Sequence, residues 1–135
     1  MSEDLCARLQ DVNEVGLYRL SCPLTVLEAN VMLAGFALFE ADISAAHGKG
    51  EFLAALAQAI KAPDWFGHNW DALADVLTDL SWQPSAGYVL LLCGGDENLG
   101  LRDIDNVIVM DILNDTVSYW KSQGKPFWVF FVDAV

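Results

Sequence analysis

The chain is organised around the stretch Ala62-Pro63-Asp64-Trp65-Phe66-Gly67-His68-Asn69-Trp70-Asp71-Ala72-Leu73-Ala74-Asp75-Val76-Leu77-Thr78-Asp79-Leu80-Ser81-Trp82. The pattern predicts a tight loop that leads into a short helix. Pro63 disfavours the helical conformation at Ala62, so the preceding helix is expected to end there. Gly67 allows a sharp change of backbone direction. Asn69 is a favourable N-cap, because its side-chain oxygen can accept from a free N–H of the first turn.

The helical part of this stretch has two contrasting faces. Asp71, Asp75 and Asp79 recur at i, i+4 and i+8, so they are expected to stack along one stripe. Like charges at this spacing cost about 0.2–0.5 kcal/mol per pair, and residues 62–82 contain no Lys or Arg to neutralise them. Such a stripe beside exposed aromatic residues is typical of a docking surface for a cationic partner. A simpler interpretation is a solvated acidic face beside core aromatics. The buried face is predicted to consist of Leu73, Val76, Leu77 and Leu80.

The motif Pro-Asp-Trp-Phe-Gly-x-Asn-Trp-Asp-Ala-Leu-x-Asp-x-Leu-Thr-Asp-Leu resembles the signature of the barstar family, the intracellular inhibitors of secreted bacterial ribonucleases. The family pattern is Pro, an acid, two aromatics, Gly, any residue, Asn, an apolar residue and Asp-Ala-Leu, followed by Asp and Leu at helical spacing. The resemblance is long and ungapped, so it is more specific than a match of a few letters. Flanking elements from Gly35 to Val132 fit in order and length.

The resemblance implies that the loop and the acidic helix plug the active site of a basic ribonuclease. Asp75 would be the central anchor, with its carboxylate where the phosphate of the substrate binds, and Asp71 would pair with cations at the rim. A carboxylate in a pocket of Arg, Lys and His forms strong charge-assisted hydrogen bonds. The partner-binding residues implied are Trp65, Phe66, Gly67, Asn69, Asp71, Ala74, Asp75, Thr78 and Tyr119.

Four further roles follow from the same resemblance, and each has a plainer alternative. Trp65 would pack on the catalytic histidine of the nuclease. Gly67 and Asn69 would supply backbone and side-chain contacts, or else serve only as turn and cap. Thr78 would add a hydrogen bond. Of the three aromatic residues in the loop and at the helix start, we expect two in the core, one of them Trp70.

The chain departs from the family pattern at three positions. Members closest to the prototype carry a Trp just before the central Asp, where this chain has Ala74, which reduces the apolar contact. They carry an acid on the last helix where this chain has Tyr119. His68 also replaces an acid, and its protonation would reduce the negative potential. The partner is therefore expected to differ in detail, or to belong to another class of protein.

Composition predicts one globular domain with a cationic partner. The 135 residues include 54% hydrophobic residues, which is enough for a proper core. Nineteen acidic against seven basic residues give a net charge of -12. This charge argues against nucleic acid or an anionic membrane as a ligand and favours a basic ribonuclease or another cationic protein, although it also aids solubility.

Localisation is predicted to be cytoplasmic. Ser2-Glu3-Asp4 lacks the features of a secretory signal, and the most apolar run, residues 23–39, contains polar residues and is not a membrane span. Cys6, Cys22 and Cys93 are an odd set without metal-site spacing, which fits free thiols in a reducing cytosol.

Strands alternating with helices predict an α/β fold, with a small parallel sheet covered by helices on its faces. Residues 1–34 form an N-terminal strand-plus-helix extension and residues 35–135 the core of a single domain, 1–135. The first 14 residues are expected to form a short helix or a frayed arm. Strands are predicted at 16–20, 36–41, 88–93 and 127–132, and helices at 23–35, 50–62, 69–80 and 103–121. The predicted inward residues are Leu24, Leu27 and Val31 of the first helix, Phe52, Leu53, Leu56 and Ile60 of the second, and Ile104, Ile108, Ile112, Val117 and Trp120 of the last.

Two other functions remain open. A barstar-like module that binds a non-ribonuclease partner would present the same acidic helix. A magnesium-dependent phosphoester hydrolase would gather carboxylates at the carboxyl ends of the strands, from Asp42, Asp96, Glu97 and Asp133, or use Asp64, His68 and Asp71. No nucleophile elbow, P-loop or glycine fingerprint occurs. We therefore expect no enzyme, cofactor or metal.

Overall fold

The computed structural model describes residues 6–95 and 98–133. It has the predicted α/β fold, a four-stranded, all-parallel sheet with four helices packed around it. No helix in these two ranges has both the length and the hydropathy needed to span a bilayer. The elements are β1 (Leu17–Arg19), α1 (Leu24–Ala34), β2 (Ala37–Asp42), α2 (Lys49–Ile60), α3 (Trp70–Leu77), β3 (Tyr88–Cys93), α4 (Asp103–Ser122) and β4 (Phe127–Val132).

The strands lie in the order β1-β4-β3-β2. One row across the sheet runs from Leu17 through Val129 and Leu90 to Phe39. β3 and β4 occupy the centre and are buried along most of their length. This position explains their continuous apolar sequences, because a central parallel strand is covered on both faces.

The two faces of the sheet are covered by different parts of the chain. α2, α3 and α4 pack on one face, against side chains that include Phe39, Leu90 and Val129. On the other face, α1 and the segment around Cys6 and Leu9 cover Val89, Leu91, Trp128 and Phe130. The indole of Trp128 donates to the carbonyl oxygen of Leu9 over 2.8 Å. The N-terminal extension therefore covers β3 and β4 on this side of the sheet, whereas Glu40 of β2 stays exposed.

Of the inner face predicted for α4, Val117 and Trp120 are confirmed, whereas the three isoleucines before them are out of phase. Ile104 is 63% exposed, and Ile108 and Ile112 are only partly buried. The stripe through these isoleucines continues to the exposed Asp115, whereas the stripe one residue later starts at Asp105 and runs through Val109 and Leu113 to Thr116. The later stripe can be buried because its two polar side chains have partners: Asp105 accepts from the indole of Trp70, and the hydroxyl of Thr116 donates to the carbonyl oxygen of Ile112. The buried residues are Asp105, Val109, Leu113, Thr116, Val117 and Trp120.

The inner faces of the other predicted helices agree better. All four inward residues predicted for α2 are buried, as are Leu27 and Val31 of α1. The prediction that Leu24 faces inward is wrong, because it is the first residue of α1 and is exposed. Residues 6–14 form turns rather than a regular helix, and residues 1–5 of the predicted arm lie outside the described residues.

The expectation of three free cysteines is also wrong. Cys6 and Cys22 form a disulfide, and Cys93 is free. The bond joins the segment before β1 to the residue that precedes Pro23, the N-cap of α1. Both cysteines pack on the face of the sheet that the N-terminal extension covers. Sequence spacing could not reveal this proximity, because it arises from packing on a shared face.

Candidate functional site

The loop before α3 is anchored by Phe66. The N–H of Phe66 donates to the carbonyl oxygen of Pro63 over 3.0 Å, which closes a turn, and its ring is only 5% exposed. The ring of His68 lies 4.8 Å from that of Phe66. Phe66 therefore belongs to the core and can offer a partner little more than its backbone.

Gly67 has a different role from the one expected. The left-handed conformation in the loop falls on His68, with φ of 55°, a region that histidine enters more readily than most residues. Glycine is favoured at position 67 by space, since a Cβ there would lie 3.2 Å from Nδ2 of Asn69. The sharp change of direction predicted at Gly67 therefore occurs one residue later.

Asn69 caps α3 as predicted. Its Oδ1 accepts from the N–H of Ala72 over 2.8 Å, and its Nδ2 lies 3.4 Å from the carbonyl oxygen of Gly67. The same side chain thus joins the loop to the first turn of the helix, which limits the conformations that both can adopt.

Trp65 is the exposed aromatic residue of the loop. It is 61% exposed, and its ring meets that of Trp82 edge-on at 6.3 Å. The indole of Trp82 donates to the carbonyl oxygen of Ile60 at the end of α2, over 2.9 Å. Trp65 therefore presents a large apolar surface to solvent while its ring contacts Trp82, which a hydrogen bond holds in place.

α3 is fixed to α4 at both ends. At its start, the indole of Trp70 donates to Oδ1 of Asp105 over 3.2 Å, which places Trp70 among the packed aromatics, as expected. At its end, the indole of Trp120 donates to the carbonyl oxygen of Leu77 over 2.8 Å. Asp105, which is 6% exposed, is a buried carboxylate that the sequence pattern does not mark. Its partner lies 35 residues away, so no local pattern marks it.

The acidic face is shorter than predicted. Asp71 and Asp75 are exposed on α3, but the helix ends at Leu77. Leu80 is buried as predicted yet has a left-handed backbone, with φ of 50°. The exposed Asp79 therefore lies in a turn beyond the helix, so the three carboxylates do not form one helical stripe.

No cation of the described chain neutralises these carboxylates. The ion pairs within residues 6–95 and 98–133 involve none of Asp71, Asp75 and Asp79. The nearby lysines contact aromatic rings instead, with Lys49 above Trp70 at 5.5 Å and Lys125 above Trp120 at 5.6 Å. The acidic face is therefore available to a basic partner.

The remaining proposed contact residues lie near the end of α3. The hydroxyl of Thr78 donates to the carbonyl oxygen of Ala74 over 2.9 Å, which leaves its lone pairs to accept from a cation. Ala74 is half-buried. Tyr119 is 40% exposed and lies beside Trp120, whose indole holds the end of α3. The structure thus places these residues at the end of α3 and on the neighbouring part of α4.

The carboxylates suggested for a metal site are used in other ways. Ser44 donates to Asp42 through its N–H and its hydroxyl, over 3.0 and 2.6 Å, and these bonds lower the pKa of that carboxyl. Asp133 pairs with Arg19. In the part of the chain that the structure describes, no three His, Cys, Asp or Glu side chains group as metal ligands. Asp96 and Glu97 lie outside that part.

Comparison with known proteins identifies a family that the chain resembles. A family model described as "Barstar (barnase inhibitor)" matches residues 36–132, more than half of the chain. No curated protein matches the chain. The matched range starts just before β2 and ends with β4, so it contains the loop, the acidic face and the helices that hold them.

Proposed function

The chain belongs to the barstar family, and on that premise we propose that it inhibits a basic ribonuclease by binding over its active site. Family membership supports an inhibitor role in general. The choice of a basic ribonuclease rests in addition on the net charge of -12 and on the acidic face beside an exposed tryptophan.

The observation that carries this proposal is the state of Asp75. Asp75 is exposed on α3, and its carboxylate belongs to none of the ion pairs among the described residues. The buried face of α3 and the two indole hydrogen bonds hold the helix in place. The backbone that carries this carboxylate is therefore already positioned and loses little conformational freedom on binding, which favours affinity.

The chemistry fits a site that binds phosphate. A ribonuclease must surround the phosphate with Arg, Lys or His, and a carboxylate can accept hydrogen bonds from the same donors. In the complex, Asp75 takes the central position, Asp71 pairs at the rim and Trp65 covers an apolar or imidazole surface. Negative charge around the site also speeds the encounter with a cationic partner.

A second candidate is a binding module for a cationic protein that is not a ribonuclease. Two features favour it: the small Ala74 beside Asp75, and the exposed Tyr119 where close relatives of the prototype carry an acid. An apolar, hydroxyl-bearing ring there changes which partner surface is complementary. The hydrolase interpretation receives no support from Asp42 or Asp133, which have other partners.

We place the inhibitor in the cytoplasm, where it would protect the cell from its own nuclease. The Cys6–Cys22 disulfide argues the other way, because such bonds are rare in a reducing compartment. Both cysteines precede residues 36–132, so inhibition is expected to survive reduction of the bond. Alkylation of thiols during cell lysis, followed by mass spectrometry, measures which form is present.

The test is inhibition of RNA cleavage by a purified, basic, barnase-type ribonuclease. The wild-type protein should inhibit at one-to-one stoichiometry. Asp75→Ala should weaken binding by about 2–5 kcal/mol, since it removes one partner of a desolvated charge pair. Asp111→Ala removes an equal charge from an exposed position of α4 and should change binding little. If the wild type binds the nuclease without slowing cleavage, or the two variants lose equal affinity, the proposal is wrong.

A further inference from the structure

β2 forms a free edge of the sheet. The strand order is β1-β4-β3-β2, so β2 pairs with β3 on one side and with no strand of the described chain on the other. β2 has six residues, whereas β1 at the opposite edge has three. None of the residues assigned to ribonuclease binding lies on β2. Because the backbone groups of an edge strand are a template for pairing with another chain, β2 is a candidate docking surface separate from the acidic face.

The hydrogen bonds at the two ends of β2 show which of its backbone groups point outward. The N–H groups of Ala37 and Ile43 both donate, over 3.0 Å, to carbonyl oxygens of residues 87–93, which contain β3. Successive residues of a strand direct their backbone groups to opposite sides, so the residues of even number point away from β3. These residues are Leu38, Glu40 and Asp42. Within the described residues, no hydrogen bond satisfies their N–H and carbonyl groups.

A groove of about 450 Å³ lies beside these outward groups. Glu40 and Asp42 line it from β2, and Ala55, Gln58 and Ala59 line it from α2. Alanine side chains are short, so α2 leaves the space beside the strand open. The six residues of β2 extend over about 20 Å, so the edge can pair with an extended segment of similar length.

The β2 side of this groove carries uncompensated negative charge. Glu40 and Asp42 are exposed, and Glu28 of α1 lies close to Glu40. Burial raises the pKa of the Glu40 carboxyl, and Glu28 raises it further. The ion pairs among the described residues include none of these three carboxylates. A cation placed here would therefore be attracted by more than one carboxylate.

A second copy of this chain does not fit the edge. If two β2 strands paired in antiparallel fashion, Glu40 and Asp42 of both copies would lie on the same face of the joined sheet. Like charges opposite each other destabilise a strand pair, and charged residues on an edge strand are a common protection against such pairing. With a net charge of -12, two copies also repel each other at longer range. The edge thus selects a segment of opposite charge.

We propose that β2 binds an extended, basic segment of a partner protein, which adds to the sheet as an antiparallel strand. In a hydrogen-bonded antiparallel pair, the two opposite side chains lie on the same face. Lysine or arginine side chains of the segment therefore lie opposite Glu40 and Asp42. The residues between them are apolar and lie over Ala55 and Ala59. The site does not depend on the proposed inhibition of a ribonuclease.

A blocked peptide of the sequence Lys-Val-Lys-Val-Lys is the probe, and Glu-Val-Glu-Val-Glu is the control of opposite charge. Binding is followed by ¹H–¹⁵N NMR of the full chain. Because the contact is much smaller than a standard protein interface, a Kd of about 1 mM is expected. The lysine peptide should shift the amide signals of Leu38, Glu40 and Asp42 more than those of the residues between them, whose N–H groups bond to β3. The glutamate peptide should shift neither set.

Charge and backbone pairing are tested separately. The double variant Glu40→Gln/Asp42→Asn keeps the shape of both side chains and should bind the lysine peptide about fivefold more weakly, through loss of two exposed ion pairs. Asp111→Asn/Asp115→Asn removes two exposed carboxylates from α4 and should bind as the wild type does. A peptide N-methylated at its lysines keeps every charge but loses the N–H groups that face β2, and should bind about tenfold more weakly. Amide signals far from β2 should keep their positions in the variants, which shows that the fold is intact.

Four results would overturn the proposal. The lysine peptide at about 10 mM, ten times the expected Kd, would leave the signals of Leu38, Glu40 and Asp42 in place or would shift only those of the acidic face. The N-methylated peptide would bind as tightly as the unmethylated one, which would reduce the contact to charge alone. The double variant of β2 would bind no more weakly than the double variant of α4. The signals of β2 would shift when the protein concentration is raised without peptide, which would make a second copy the occupant.

Discussion

The indole nitrogen of Trp70 and the carboxylate of Asp105 meet at 3.2 Å and join the first residue of α3 to the third residue of α4. Arg102 contacts the other carboxylate oxygen at 3.4 Å. Because α3 carries the acidic face, this contact fixes the direction in which that face points.

Asp105→Ala should destabilise the protein by about 1–3 kcal/mol, since it leaves a partly buried indole N–H without its acceptor. Asp105→Asn retains an acceptor and should cost less. Urea unfolding measures both, with Asp111→Ala as the exposed control on α4. Equal stability of the alanine variant and the wild type would show that the contact does not hold α3.

Asn69→Ala should cost about 1 kcal/mol of stability through loss of the N-cap. Asn69→Ser keeps a capping oxygen and should recover most of the loss. Thermal unfolding of the three proteins checks this order. A serine variant no more stable than the alanine variant would mean that contacts of Asn69 other than the cap dominate.

Stability should depend on pH through Glu40. Burial raises the pKa of the Glu40 carboxyl, and the nearby charge of Glu28 and a hydrogen bond with the Glu28 side chain raise it further. A raised pKa means that the folded state holds this proton more tightly than the unfolded state. The folded state therefore loses stability as pH rises from the ordinary value of 4.5 through the raised value.

Glu40→Gln should accordingly stabilise the protein at neutral pH by a few tenths of a kcal/mol, a small effect because the residue is largely exposed. The advantage should vanish below the ordinary pKa, where the wild-type carboxyl is protonated in both states. Urea unfolding at a series of pH values measures the difference. An advantage that grows as pH falls would contradict the sign.

Association with a basic ribonuclease should slow steeply as salt rises, because mobile ions screen the attraction over about 10 Å at 0.1 M. Asp71→Asn should lower the association rate and change the dissociation rate little, as expected for a rim charge. Stopped-flow kinetics at several salt concentrations separates the two rates. A rate independent of salt would argue against electrostatic steering.

Reduction of the Cys6–Cys22 bond should destabilise the protein by about 3 kcal/mol, the loop-closure entropy for a 16-residue separation. Ribonuclease inhibition measured below the new unfolding midpoint should not change, because the acidic face lies elsewhere. A Cys22→Ser variant without reductant provides the control. If reduction abolishes inhibition while the protein stays folded, the N-terminal extension takes part in binding.

The elements that the sequence predicted best are those with local causes. The bounds of β3 and β4 agree to the residue, because continuous apolar runs end at glycine, proline or aspartate. The Asn69 cap likewise depends only on its own first turn. Burial of α2 follows a single apolar stripe with no competitor.

The features that the sequence could not predict depend on distant partners. Asp105 is buried because Trp70 and Arg102 contact it, and its burial accompanies the change of phase along α4. The disulfide forms because packing on one face of the sheet brings Cys6 to Cys22. The early end of α3 accompanies the left-handed backbone of Leu80 and the hydroxyl of Thr78, which turns back to Ala74. These differences leave Asp71 and Asp75 together and separate Asp79 from them.

The placement of β4 between β1 and β3 has a consequence for biosynthesis. Until the ribosome has released residues 127–132, no strand fills the gap between β1 and β3, and the indole of Trp128 is not yet there to bind Leu9. A message truncated before that segment would yield only fragments with open sheet edges, prone to aggregation and degradation. Only fully translated molecules can therefore complete the sheet.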